Sequence, residues 1–132
     1  MAEPTQQQDS AQATISRRMV QLQKEYYGRG PTKAKTYIQG DLVVVLMRGG
    51  FNRVEETLLQ EGRGDSVIQQ RSDFQAVMHE RYEQIIYEET GRKVIAFMSG
   101  NHQDPDLLGE MFVLAPTDMT AEEKAEENPQ AE

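Results

Sequence analysis

The chain has 132 residues, with 14 Lys and Arg, 22 Asp and Glu, no cysteine and a formal charge of −8. That length suits one domain with a core of modest size, and the missing cysteine excludes disulfides, a thiolate metal site and a Cys nucleophile, which fits a reducing cytoplasm. The longest apolar run, LVVVLM at 42–47, is far too short to span a membrane, and the first thirty residues hold no apolar stretch of the kind that directs secretion.

The acidity is unevenly spread. Residues 1–13 carry Glu3 and Asp9, and residues 116–132 carry Asp118, Glu122, Glu123, Glu126, Glu127 and Glu132 against Lys124. The stretch between them, 14–115, holds 13 Lys and Arg against 14 Asp and Glu. A near-neutral centre with an acidic tail lacks the surplus of cations that nonspecific nucleic-acid binding uses to neutralise phosphates. The segments 1–11 and 116–132 have few large apolar residues and are expected to be disordered, leaving one folded domain over 12–115.

In chain order, Ile15, Met19, Leu22 and Tyr26 recur at spacings of four and three, the stripe of a first helix that ends near Tyr27 at Gly28, with Pro31 beyond. Two β-rich runs follow, joined at Gly40-Asp41 as a tight hairpin and closed by Gly49-Gly50. A short helix then starts at an Asn52 cap, with Glu55 three residues on and Gly62 as its stop. Ser66 and Gln69 suggest a second capping box, opening a longer helix with the stripe Val67, Phe74, Met78, Tyr82 and Ile85 and its end near Gly91. Last come the strands KVIAFMS and GEMFVLA, with the polar loop GNHQDPDLL between them. The order αββααββ points to an α+β fold, a four-stranded, mainly antiparallel sheet with helices on one face. A helix, a Gly-Arg stop and two strands occur twice, so the pattern also carries a weak αββ pseudo-repeat. The strand at 42–47 is apolar on both pleat faces, which a sheet covered on one side does not need, and a second copy of the chain is the simplest cover.

The segments KEYYGRGPTKAK, LLQEGRGDSV, TGRKVIAFMS and DPDLLGEMFVL together resemble the bacterial MpsC-like family, over about residues 12–115. The resemblance implies an association with a cation-translocating, membrane-potential-generating system whose membrane partners serve cation movement and inorganic-carbon (bicarbonate) supply. It brings no catalytic residues and no cofactor.

Three Gly-Arg pairs stand where helical patterns stop: Gly28-Arg29-Gly30, Gly62-Arg63-Gly64 and Gly91-Arg92. Each glycine suits a helix terminus, and each arginine can sit against the last carbonyls and the helix dipole. Alternatively Arg29, Arg63 and Arg92 converge on a small anion or an acidic partner, with Gly30 and Gly64 permitting close approach of the backbone to it. His102, Asp104 and Asp106 are three candidate ligands for a divalent cation, although such residues also belong in any exposed turn. The pairs Glu55-Glu56 and Glu88-Glu89 read as solvated helix faces, and His79, next to Met78, as a half-exposed histidine. No GxxxxGK[ST] or GxGxxG segment appears, and two histidines without cysteine leave little material for nucleophilic catalysis. Two functions follow as expectations. One is a non-enzymatic, dimeric accessory subunit at a membrane transporter, cytoplasmic or peripheral to the inner face of the membrane. The other is a small RNA-binding module, whose sheet aromatics would be Tyr37, Phe97 and Phe112 with Lys33, Lys35, Arg92 and Lys93 nearby.

Overall fold

A computed structural model describes residues 6–116. Three helices and four strands follow one another as α1 Gln6–Tyr27, β1 Lys33–Gln39, β2 Leu42–Arg48, α2 Arg53–Gln60, α3 Gly64–Thr90, β3 Val94–His102 and β4 Leu107–Leu114. This is the expected αββααββ order. The strands form one sheet in the order β1-β2-β4-β3, every neighbouring pair antiparallel. Each hairpin thus contributes one edge and one central strand, and the two halves meet where β2 pairs with β4, the arrangement an αββ repeat would produce. α1 lies on β1 and α3 on β3, and the two helices run antiparallel against each other, so both cover the same sheet face.

The core lies between that face and the helices. Ile15 and Met19 of α1, Met78, Tyr82, Ile85 and Ile86 of α3, and Val43, Val45, Met47, Leu108, Phe112 and Leu114 of the sheet are at most 5% exposed. The α1 stripe differs from expectation at its end. Tyr26 is half exposed against the Arg81 guanidinium, and Gln23, four residues after Met19, takes the inward place and accepts a hydrogen bond from Tyr82. The 15-19-23 row keeps facing the sheet, whereas the 22-26 row drifts around the helix. α1 also begins at Gln6, before the expected boundary at 12, and the Gln12 side chain accepts the Ile38 backbone N–H. Residues 1–5 and 117–132, most of the two acidic segments, lie outside the described residues.

Two further elements depart from the sequence reading. α3 starts at Gly64, so Ser66 is already inside the helix and no Ser66–Gln69 capping box forms. The cause is the end of α2. The Gly62 and Arg63 amides bond back to Leu59 and Leu58 while Gly62 takes φ +76°, so the chain turns straight into the next helix with Arg63 at its cap position. β3 is longer than expected, because Gly100, Asn101 and His102 pair with Gly109, Leu108 and Leu107. The polar loop shrinks to a turn at 103–106. A register shift at Ile95, between Val94 and Ala96, bends the start of β3.

Candidate docking face and buried charge cluster

Side chains alternate across a strand, so register assigns each residue to a face. On β2, Val43, Val45 and Met47 point to the helices and are fully buried, while Leu42, Val44 and Leu46 point the other way. Cross-strand pairing sets the outward residues in rows. Tyr37, Val44, Met111 and Met98 form one row across all four strands, and Gln39, Leu42, Val113 and Ala96 form the next. On the other side lies the row Lys35, Leu46, Gly109 and Gly100, where two facing glycines flatten the surface. Tyr37, Met98 and Met111 are 51%, 55% and 36% exposed. Among the described residues no helix packs on this side. One end of the face is basic, since Lys33, Lys35 and Arg48 surround a shallow hollow of about 250 Å³ beside Tyr37 and Leu46. Of the three sheet aromatics, only Tyr37 is on this open face. Phe112 is fully buried under the helices and Phe97 packs against it at 5.1 Å, so the aromatic platform that RNA stacking requires is absent from the described open face.

At one end of the helical layer, a cluster of charges is buried. The Asn52 capping box forms as the sequence indicates, the Asn52 side chain accepting the Glu55 N–H and Glu55 Oε1 accepting the Asn52 N–H at 3.1 Å. Glu55 is nevertheless no solvated residue, being 0% exposed. Arg71 of α3 donates to both its oxygens, Nε to Oε2 at 3.0 Å and Nη2 to Oε1 at 3.3 Å, and reaches Asp106 Oδ1 with Nη1 at 2.5 Å. Tyr27 at the end of α1 also donates to Glu55, and Gln70 donates to the Tyr27 hydroxyl. The Arg71 guanidinium stacks 4.1 Å above the Phe51 ring. Burial opposes charge on Arg71, yet Glu55 and Asp106 outweigh it and its pKa is raised. Burial and the adjacent Glu55 carboxylate push the Tyr27 hydroxyl up to about 12, and burial raises Asp106 despite the arginine. The guanidinium thus ties α2, α3 and the β3–β4 turn together, and Tyr27 adds α1 through Glu55. The sequence held a signal for it, because Arg71 and Gln75 fall on the row 67-71-75-78-82 of α3, polar residues at core-facing positions.

The Gly-Arg pairs surround this cluster only in part. Arg29 faces Glu56 of α2 at 3.6 Å, both half exposed, and Arg63 is exposed at the α2–α3 junction without a side-chain cap bond. Arg92 is at the opposite end of α3, whose 27 residues put about 40 Å between it and Arg63. There its guanidinium donates to Ala115 O at 2.7 and 3.0 Å and to Gly40 O at 3.1 Å, and pairs with Asp41. The second glycines serve packing within the chain. A Cβ on Gly64 would lie 2.7 Å from the Gln103 amide, which donates to Gly64 O at 2.5 Å, and one on Gly30 would meet Val20 and Lys24. Of the turn residues weighed as cation ligands, Asp106 points inward to Arg71, His102 Nδ1 is 2.9 Å from Pro105 O, and Asp104 is exposed. Among the described residues no group of three or more His, Asp or Glu is arranged to hold a metal ion. His79 is 43% exposed, pairs with Glu83 and stacks on Phe97 at 4.4 Å.

No helix among the described residues is long and apolar enough to cross a membrane. The chain is 33% identical over 89 residues to the uncharacterized protein YbcI of Bacillus subtilis (strain 168), an alignment covering 67% of this chain and 72% of that one. No solved structure matches it significantly. Residues 7–116, nearly all that the structure describes, match the MpsC family, described as the Na+-translocating membrane potential-generating system, and the chain belongs to that family.

Proposed function

We propose that the protein is a non-enzymatic accessory subunit of a cation-translocating or inorganic-carbon uptake system, working from the cytoplasmic side, and that two copies pair through the open sheet face. The observation that carries this reading is the row Tyr37, Val44, Met111 and Met98 with its apolar neighbours. Apolar side chains spread over all four strands, half-buried in the centre and exposed at the edges, are what a protein–protein contact buries. The membrane context rests on the family, named for a membrane-potential-generating system. Exposed Arg63, and Arg29 half exposed opposite Glu56, stand at the same end of the helical layer as the receivers of an acidic partner segment or a small anion such as bicarbonate, the planar guanidinium matching a carboxylate bidentately. The RNA-binding alternative is weaker, since Phe97 and Phe112 face the helices. The test is co-isolation of the tagged full chain with detergent-solubilised membranes from cells that carry the system. Wild type is expected to retain a membrane protein that Met98→Glu/Met111→Glu and Arg29→Glu/Arg63→Glu do not. Retention by all three chains at equal yield would overturn the reading.

A further inference from the structure

A groove of about 750 Å³ opens on the helical layer, lined by both α1 and α3. Val20, Leu22, Ala34 and Ile85 give it apolar surface. The helices meet at Arg18, which pairs with Glu88 and Glu89 at 2.7 and 3.0 Å, and again where the Arg81 guanidinium stacks 4.7 Å from the Tyr26 ring. Two exposed arginines stand on the groove, Arg17 from α1 and Arg81 from α3. Among the described residues neither is in an ion pair: Arg17 donates to Thr14 Oγ1 at 3.3 Å, and Arg81 lies over Tyr26. With Arg18 and Glu88 bound to each other, the lining keeps two cations against the single carboxylate of Glu25.

The chain leaves β4 at the end of the layer where this groove begins. Ala115 donates its N–H to Lys93 O at 2.8 Å, and Arg92, just past the end of α3, holds Ala115 O and Gly40 O. Glu88 is four residues back from Arg92 along the chain and Arg81 eleven, about 6 and 16 Å at the helical rise. Residues 117–132 come next. They carry Asp118, Glu122, Glu123, Glu126, Glu127 and Glu132 against Lys124, together with Met119, Ala121 and Ala125. An extended chain covers about 20 Å between Pro116 and Glu122, so the first glutamates of this segment can reach either arginine.

We propose that the acidic segment 117–132 docks in the groove of its own chain, its glutamates on Arg17 and Arg81 and Met119 on the apolar surface. Alone the segment has too little apolar surface to fold, and tethering at Pro116 raises its local concentration at the groove. A single surface ion pair is weak, so the contact draws on several glutamates sharing two arginines and on the apolar surface beneath them. It is therefore sensitive to salt, since exposed charges are screened over a distance that shortens as ionic strength rises. The docked segment withholds both the groove and its own carboxylates from other partners. The open sheet face, on the far side of the sheet, is untouched.

Paramagnetic broadening in the full chain tests this. The chain has no cysteine, so Ala125→Cys gives one attachment point for a nitroxide, with the reduced label as reference. In low salt the amide signals of Gln21, Leu22, Gln84 and Ile85 are expected to lose most of their intensity, while those of Gly100 and Gly109 keep theirs. Adding Arg17→Glu/Arg81→Glu, or raising the salt, is expected to restore the groove signals. Broadening that survives the charge reversal would reflect tethering alone and overturn the proposal, as would groove signals that never broaden. A second sample mixes nitroxide-labelled chains with isotope-labelled chains that carry no nitroxide. Broadening of the groove there, equal to that in the first sample, would overturn docking within one chain and give the groove to the acidic segment of a second copy.

Discussion

Glu55 and Glu110 are the same side chain buried to the same extent, and they have different neighbours, an arginine fork for the first and none for the second. Arg71 is forked onto Glu55; removing the arginine would leave Glu55 buried and Asp106 part-buried without a cation. Arg71→Ala is therefore expected to cost about 3–5 kcal/mol, measurable by urea unfolding. A loss below about 1 kcal/mol would mean that solvent reaches the cluster freely. Glu110 sets a pH dependence of the other sign from the usual carboxylate. Burial raises its folded pKa to about 8 from an ordinary 4.5, so between those values the unfolded chain gives up a proton that the folded chain keeps. The unfolded state then binds fewer protons, and stability falls as pH rises, by up to about 1.4 kcal/mol per pH unit from this group. The contribution is complete below about pH 4.5 and lost by about pH 8. Thermal melts across this range should show the decline in wild type and not in Glu110→Gln; parallel curves for the two chains would dismiss it. Neither residue's environment was legible along the chain. Glu55 was visible as half of a capping box, a contact three residues long, but its arginine is 16 residues away on another helix, and Glu110 reads as an ordinary polar position until β4 is placed in the sheet centre.

At the scale of elements, the local signals told most. Gly28, Gly62 and Gly91 end helices in left-handed geometry, and Gly40 turns the first hairpin, all conformations that a sequence announces because few other residues adopt them. Signals that depend on a neighbour misled. Ser66–Gln69 has the spelling of a capping box, yet the tight closure of α2 starts α3 three residues earlier, with Arg63 at the cap position. The residues 100–102 look like loop but extend β3 because β4 offers them partners. The repeated Gly-Arg spelling likewise covers different duties. Arg92 joins the first hairpin turn to the end of β4 through the Ala115 and Gly40 carbonyls and Asp41, whereas Arg63 is exposed and makes no cap bond. Arg92→Ala should thus destabilise by about 1–3 kcal/mol, the range for losing charged hydrogen bonds to backbone, and lower the melting temperature by several degrees. Arg63→Ala should stay within about 0.5 kcal/mol, as surface substitutions do. Equal losses at both positions would show that the two arginines share one structural role.

Among the described residues the sheet has one face closed and one open, and the two-sided apolar strand at 42–47 was enough to foresee that asymmetry. What the chain alone could not give is the extent of the open face, since Met98 and Met111 join Tyr37 and Val44 only through the register of four strands. That register also places the halves about a two-fold relation, β2 against β4, with the apolar rows running across their junction. A second copy laid on this face, at the sheet-to-sheet spacing of about 10 Å, would bury Val44, Met111 and Met98 against their equivalents and leave the basic end with Lys33, Lys35 and Arg48 at the rim. A symmetric pair of this kind is isologous, so one substitution acts twice. Met111→Glu puts a carboxylate at the centre of the contact in both copies. Light scattering at micromolar concentration is expected to give twice the 15.0 kDa chain mass for wild type and the single-chain mass for Met111→Glu. Because Met111 is 36% exposed within one copy, the variant monomer should keep its far-ultraviolet dichroism, and charge reversal at the rim (Lys33→Glu) should leave the wild-type mass unchanged at moderate salt. A wild-type chain that stays monomeric at all concentrations would remove the second copy as the cover and leave the open face to a different partner.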